Sequence, residues 1–483
     1  MEEVVKKLPG QKRIHFPPYR LAWTVLIIFL PFPGARAEQS PAKVFRLEQA
    51  VDFALKNYPA IRAAMEQATA ARAGTELART IYLPRADLLW QSNRATRNNI
   101  FGLLLPQSVI PSISGPVLPS TSGGGVWGSG AGLLFSWEPI DFGYRHATVG
   151  AAKASESRAG AEVALAKLDV AAAAADAFLT LLAAEQRTRA AQADVERRQV
   201  FDKSVQVLVA NQLRPGADGS RADAELAGAK IQLIQAEETE RVSRAALAQA
   251  LGIAGTEVRI EAGPLLGPAP ENPAPEAKVS SHPLAAVGKS RVEEEAARVR
   301  VVERSYYPHL NLQSAISGRG SGASVSGTIA PGANGLGLER YNWAVGMTVT
   351  FPLFDFASLH ARKQIEAANE RREAARYDQA VQDLTGQLEK ARAAWEGARR
   401  IAENTSVQLT AARATESQSR ARYQAGLATI VEVADAQRLL IQAETDDSLA
   451  RLSIWRGLFV MSAAEGDFEA FLRLARGTAP GGP

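Results

Sequence analysis

The chain has no cysteine, which rules out disulfides, thiolate metal sites, thiol nucleophiles and a lipid-modified N-terminal cysteine. It has no apolar run of about 18 residues beyond its first few dozen positions, so no helical membrane span is expected. Nucleotide-binding loops of the P-loop kind are missing, and no serine sits in a nucleophile elbow. The five histidines (His15, His146, His282, His309 and His360) are scattered without metal-ligand spacing, so neither a metal nor another cofactor is expected. Excess charge is missing too. Residues 1–37 hold six Lys or Arg and two acids, which leaves 49 of each in the remainder. The high pI therefore belongs to the leader, and nothing points to nucleic acid.

Those 37 residues read as a secretory signal. Lys6, Lys7, Lys12, Arg13 and Arg20 precede an apolar stretch from Leu21 to Phe32, and Ala35-Arg36-Ala37 supplies a small-x-small cleavage pattern. The stretch is shorter than the roughly 20 residues of a spanning helix, and Pro31 and Pro33 interrupt its end.

What the chain does have is a duplication. Tyr58-Pro59-Ala60-Ile61 recurs as His282-Pro283-Leu284-Ala285, and Tyr82-Leu83-Pro84 recurs as Tyr306-Tyr307-Pro308. The prolines lie 25 residues apart in both copies, so the register is kept without a gap. Asp141-Phe142 returns as Asp355-Phe356, and Ile234-Gln235-Ala236-Glu237 returns unchanged at Ile441–Glu444. This divides the chain into a signal (1–37), a first repeat (38–270), a second (271–460) and a tail (461–483) placed near an equatorial belt.

Each repeat predicts the same series. A helix of about 23 residues starts at Pro59 or Pro283. Alternation follows: Ala86, Leu88 and Trp90, then Ala131, Leu133, Phe135 and Trp137, in copy one; Leu310, Leu312 and Ile316, then Trp343, Val345, Met347, Val349 and Phe351, in copy two. Gly- and Ser-rich stretches at 94–128 and 318–337 read as loops between the strands. Proline-free, alanine-rich segments then run from Arg145 to Gln212 and from Ser358 to Gln424. At about 67 residues each would be a rod of roughly 100 Å. Turns around Gly219 and Gly426 lead into returning helices at about 220–251 and 429–460. A short and a returning helix together fall about 12 residues short of a rod, roughly 18 Å. The leftover segments fit at that height, as a belt around the waist of a helical tube.

Four strands with one apolar face and one small or polar face suit a barrel with lipid outside and water inside. The alternative is a soluble hairpin packed on a core, but no amphipathic segment remains to cover it. Open sheet edges are forbidden in a bilayer, so closure requires several chains.

The duplicated strand-to-helix joints at Trp137–Gly143 and Phe351–Phe356 resemble those of the TolC family of outer-membrane efflux and secretion channels. So do Tyr423-Gln424-Ala425-Gly426 and Ile430–Gln437, and the likeness runs from about 45 to 460. The resemblance implies an α+β membrane protein: a homotrimer whose long α-helical coiled-coil barrel is continuous with a transmembrane β-barrel, four strands per chain. It implies a passive, non-enzymatic duct across periplasm and outer membrane in a tripartite efflux or type I secretion system. A periplasmic adaptor, an inner-membrane pump and outer-membrane lipid would be its partners. Glu432 and Asp435, which share a helix face through their i, i+3 spacing, match acids that line the periplasmic entrance. Tyr423 matches a tyrosine that holds the entrance closed, with Glu225 in the place of its partner acid. The turns with Gly219, Gly426 and Leu427 match the adaptor-docking tip. Ala428 stands where the family's best-known gate has arginine. A secreted coiled-coil scaffold or adhesin without a pore is the alternative, and it leaves the strand pairs unexplained.

Overall fold

The computed structural model describes residues 43–96, 98, 104–110, 119, 121, 123–267, 279–323, 328–329 and 331–476. The leader, the middle of the connector between the repeats and the last seven residues lie outside them.

Copy one begins with a short strand β1 (Lys43–Phe45), α1 (Leu47–Asn57) and α2 (Pro59–Arg79). Strands β2 (Arg85–Thr96) and β3 (Gly125–Ile140) follow, then α3 (Tyr144–Ala210), α4 (Gly216–Ala250) and a short strand β4 (Val258–Ile260). Copy two repeats the series with α5 (Pro283–Arg304), β5 (His309–Ser321), β6 (Arg340–Thr350), α6 (Phe356–Gln424) and α7 (Ile430–Glu465), and closes with α8 (Glu469–Ala475). Both rods form: α3 has 67 residues and α6 has 69. With proline at N1, α2 and α5 use a ring that costs no hydrogen bond there.

Side-by-side packing follows from length. α5 and α7 lie in line between the two rods and touch both, while α2 and α4 pack chiefly on α3. Rods this rich in alanine bury few large side chains, and ion pairs tie the helices together. Arg158 reaches Glu294 on α5 at 2.6 Å, Arg197 reaches Glu444 on α7 at 2.8 Å, and Arg456 of α7 reaches Asp176 on α3 at 2.7 Å.

The thick core sits at the waist, where the short helices leave a gap. α1 is amphipathic and buries Leu47, Ala50, Val51 and Ala54 against Ala174, Phe178, Leu181 and Leu182 of α3. β1 pairs in parallel with β4, and Arg46 clasps Glu261 at 2.9 Å beside that pair. Phe471 of α8 and Trp455 of α7 complete the cluster.

The four long strands form one antiparallel sheet in the order β2-β3-β5-β6. Its register brings the apolar residues into rows. Leu88 faces Leu133, Leu133 faces Ile316, and Ile316 faces Trp343; Trp137 faces Leu312, which faces Met347. This face is bare: Leu88 is 82 % exposed and Trp343 79 %. The other face carries Gly132, Ser136, Asn311, Gln313, Ser317, Gly346 and Thr348. Among the described residues, the outer edges of β2 and β6 have no neighbour in the sheet.

The strands are longer than the alternation predicts. Gly125 and Gly128, where composition reads as loop, belong to β3 together with Gly130 and Gly132, and Gly318 and Gly320, likewise read as loop, belong to β5. These glycines accept close neighbours. Ile110 and Leu104 press on Gly130 from the small-residue face, and a Cβ at Gly320 would collide with the Gly337 carbonyl. Close approach of another segment, rather than turn geometry, accounts for them.

Phe471 of α8 is fully buried in the waist core. Phe471→Ala should cost about 3–5 kcal/mol and lower the thermal midpoint followed by circular dichroism. An unchanged midpoint would place α8 outside the cooperative core.

Candidate functional site

Two hairpin turns join the helices at the end of the rods remote from the sheet. In copy two, α6 ends at Gln424, Gly426 takes a left-handed conformation (φ 78°), and Leu427 points into solvent before Thr429 caps α7. In copy one the equivalent left-handed residue is Gln212 (φ 59°), followed by exposed Leu213 and by Pro215, which precedes α4. The two turns close alike: Leu213 N–H donates to Leu208 O, and Leu427 N–H donates to Arg422 O, at 2.9 and 2.8 Å.

This register corrects two expectations. α4 starts at Gly216, not near 220, so Gly219 lies inside the helix, buried against Gln206, and forms no turn. Counting six residues from the true turn leads to Asp218 rather than Glu225 as the counterpart of Glu432. The misleading signal was glycine itself. Leu213 and Leu427, one residue past each turn, carry the better register.

Asp218 is the acid that meets Tyr423. The tyrosine hydroxyl donates to Asp218 Oδ2 at 2.9 Å, and the ring is buried between Phe201 (5.5 Å between centroids) and the Arg214 guanidinium (4.2 Å from the ring). Arg214 also donates to the Tyr423 carbonyl. By the register of the turns Arg214 is the counterpart of Ala428, which is buried in the same small cluster with Val205, Ile430 and Val433. The arginine absent from copy two is thus present in copy one, where it grips copy two. Burial, then the bond to anionic Asp218, pushes the Tyr423 hydroxyl up to about 12. A raised pKa stabilises the protonated form, so this contribution is intact below pH 10 and fades as pH climbs towards 12.

Glu432 and Asp435 are both exposed on the first turns of α7. Glu432 completes a capping box: its Oε1 accepts from Thr429 N–H at 3.1 Å, while Thr429 Oγ1 accepts from Glu432 N–H. That backbone bond holds its carboxyl below the usual range. Asp435 pairs with Arg438 at 3.2 Å, and Arg438 with Glu225 at 2.6 Å. Glu225 also takes Arg198, which is buried on Asp194 of the same rod. A chain of alternating charges therefore crosses from α7 to α4 to α3. Spacing alone did not reveal it, because its members come from three helices. Among the described residues there is no cluster of three or more side chains able to hold a metal.

A hairpin of rods at one end and a bare-faced four-stranded sheet at the other define the TolC-like channel fold. The sequence profile of outer membrane efflux proteins matches residues 50–253 and 275–456, and the chain belongs to that family. No curated protein matches it significantly. Similar solved structures include VceC of Vibrio cholerae, at 19 % identity and TM-score 0.70, over 88 % of this chain and 97 % of that one. MtrE of Neisseria gonorrhoeae, in its open state, is 20 % identical with TM-score 0.69 over 87 % and 89 %. CmeC of Campylobacter jejuni is 16 % identical with TM-score 0.68 over 87 % and 85 %. They share this fold.

Two substitutions test the tip. Tyr423→Phe, which removes one bond and leaves Asp218 without its donor, should cost about 1–3 kcal/mol. Thr429→Ala should cost about 1 kcal/mol through the lost cap. Urea unfolding of both variants measures this, and no loss in Tyr423→Phe would mean that the hydroxyl is satisfied by water.

Proposed function

We propose that three copies close into one passive export duct, the outer-membrane component of a tripartite efflux or secretion assembly. The carrying observation is a sheet with one bare apolar face and two unpaired edges. Every backbone group within a bilayer must be bonded inside the structure, so such a sheet becomes tolerable in lipid only by joining others. β6 of one copy then pairs with β2 of the next, and three copies give a twelve-stranded barrel with the Gly, Ser, Thr and Asn face lining water. The rods continue the wall through the periplasm, and α6 meets α2 and α4 of the neighbouring copy. Energy comes from a separate inner-membrane pump, since no nucleotide site is encoded.

At the tip, Glu432 and Asp435 would bring six carboxylates to the entrance, favouring cations. The capping role of Glu432 supports this reading, since it fixes the carboxylate on the first turn of α7. Exposed Leu213 and Leu427 would be the apolar contacts for a periplasmic adaptor, and Gly426 supplies the conformation that presents Leu427. The clasp of Arg214 and Asp218 on Tyr423 would hold the two tip hairpins of a subunit together when the entrance is closed.

Planar-bilayer recording of the purified protein should give unitary conductance. A soluble monomer stable without detergent or lipid would overturn the duct. Block by trivalent cations should weaken roughly tenfold or more in Glu432→Gln/Asp435→Asn, as expected when a ring loses its charge. Unchanged block would remove both acids from the pore. Gly426→Val forces a β-branched residue into a left-handed conformation, so adaptor co-purification should be lost while the oligomer persists.

A further inference from the structure

Just below the sheet, α5 and α6 part to leave a groove of about 840 Å³ lined by Arg304, Tyr306, Phe356, His360, Lys363 and Arg371, with Glu303 on its rim. Its upper end is aromatic. Phe356 stands edge-on to Tyr306 at 5.7 Å and stacks on His360 at 6.5 Å. Its floor is cationic. Lys363 is held by Glu303 at 2.9 Å, Arg304 lies over Tyr307 and donates a long 3.5 Å bond to the Phe142 carbonyl, and exposed Arg371 has no ion-pair partner among the described residues. Three cations thus answer one carboxylate in the groove lining, and none of the tip or pore chemistry uses them.

Backbone chirality settles which side of the wall the groove opens on. On a rising strand of L-residues, a side chain aimed at the viewer has its own N–H and C=O aimed to the viewer's right. Gly322 follows β5 in phase with apolar Leu310, Leu312 and Ile316, and its N–H donates to Trp127 O on β3. Seen from the apolar face, β3 therefore lies to the right of β5, and β6 to the left. α6 descends from β6 with α5 on its right: Lys363 pairs with Glu303 and Tyr377 packs beside Gly288, and buried Leu359 lies on the same face of α6, one helical turn before Lys363. A right-handed helix going down turns the next residue of each contact, hence His360 and Gln364, towards the viewer. The groove is on the same side as the bare apolar rows.

Depth matches as well. Phe351, Leu353 and Phe354 end the apolar face, and Phe354 is fully exposed. His360 and Lys363 are four and seven residues below Phe356, hence roughly 6 and 10 Å at helical rise. A headgroup layer is about 5–8 Å thick, so Arg304 and Lys363 fall at or just beneath the phosphates, and Arg371 reinforces the field from below.

We propose that this groove binds the phosphate of an anionic phospholipid, phosphatidylglycerol-like, from the periplasmic leaflet. The proposal rests on the duct reading, which places the apolar face in the outer membrane. Arg304 and Lys363 hold the phosphate oxygens, and Tyr306 and Phe356 pack against the glycerol and the first acyl methylenes. An aromatic girdle alone would not prefer one headgroup to another; the cations would.

The test is native mass spectrometry of the full protein released from detergent with equimolar phosphatidylglycerol and phosphatidylcholine. Wild type should retain the anionic lipid about fivefold or more over the zwitterionic one, the ratio expected of a single cation at a membrane surface. Arg304→Gln/Lys363→Gln should bring the two lipids to parity. Glu303→Gln, which frees Lys363, should raise the preference, an effect that general loosening of the fold would not produce. Equal retention by wild type, or a preference unchanged in the double variant, overturns the site. So does displacement by millimolar inorganic phosphate, which would make it a free-anion site. Retention of both lipids without preference leaves the duct intact, whereas retention of neither, together with absent conductance, would remove the duct itself.

Discussion

Backbone groups along the free edges of β2 and β6 set the terms for this molecule. A four-stranded sheet with one bare apolar face cannot rest in water without exposing that face, nor in lipid without leaving its edges unbonded. Nothing else in the described residues covers either. The alanine-rich rods cannot do so, because they leave the sheet at its lower rim and run away from it. The proposed trimer resolves both demands together, since the edge that needs a partner in one copy is the edge offered by the next.

The same economy governs the helical half. Small side chains let α3 and α6 lie close to their neighbours but provide little apolar burial, so one dense core is gathered where the in-line helices stop short. Away from that waist the wall is held by half-buried ion pairs, which specify which helix lies beside which more than they add stability. The remote end of this wall lies away from that core. There the hold is a compact group: Tyr423 between Phe201 and Arg214, hydrogen-bonded to Asp218, next to the charge chain from Asp435 to Asp194. It stiffens the tip within the chain.

The duplication also explains how a residue can be lost from one copy and its task kept. Ala428 leaves no guanidinium in the second turn, while Arg214, its counterpart by turn register, reaches across to the Tyr423 ring and carbonyl. Since the two turns lie side by side, a contact made from either serves both. At the opposite end, duplicated joints place Phe142 and Tyr307 in a stacked pair and Phe356 and Tyr306 in an edge-on pair, which puts aromatic rings where the wall meets the strands.

Periodicity and proline placement made most of the fold legible: the rods, the paired strands and the short helices that begin at Pro59 and Pro283 all lie within a few residues of where they were expected. These are local matters, since a helix face or a strand face is written into neighbouring positions. The glycines misled on both occasions. Gly219 read as a turn because left-handed backbone favours glycine, yet Gln212 takes that conformation, and the glycines of β3 and β5 make room for segments distant in sequence. Likewise Asp218 and Arg214 gained their roles from Tyr423, more than 200 positions away. The sequence by itself determined which elements form and which faces are apolar, because those depend on spacing along the chain. Only the tertiary structure decided which charge meets which, and where a groove opens, because those depend on how separate helices are brought side by side.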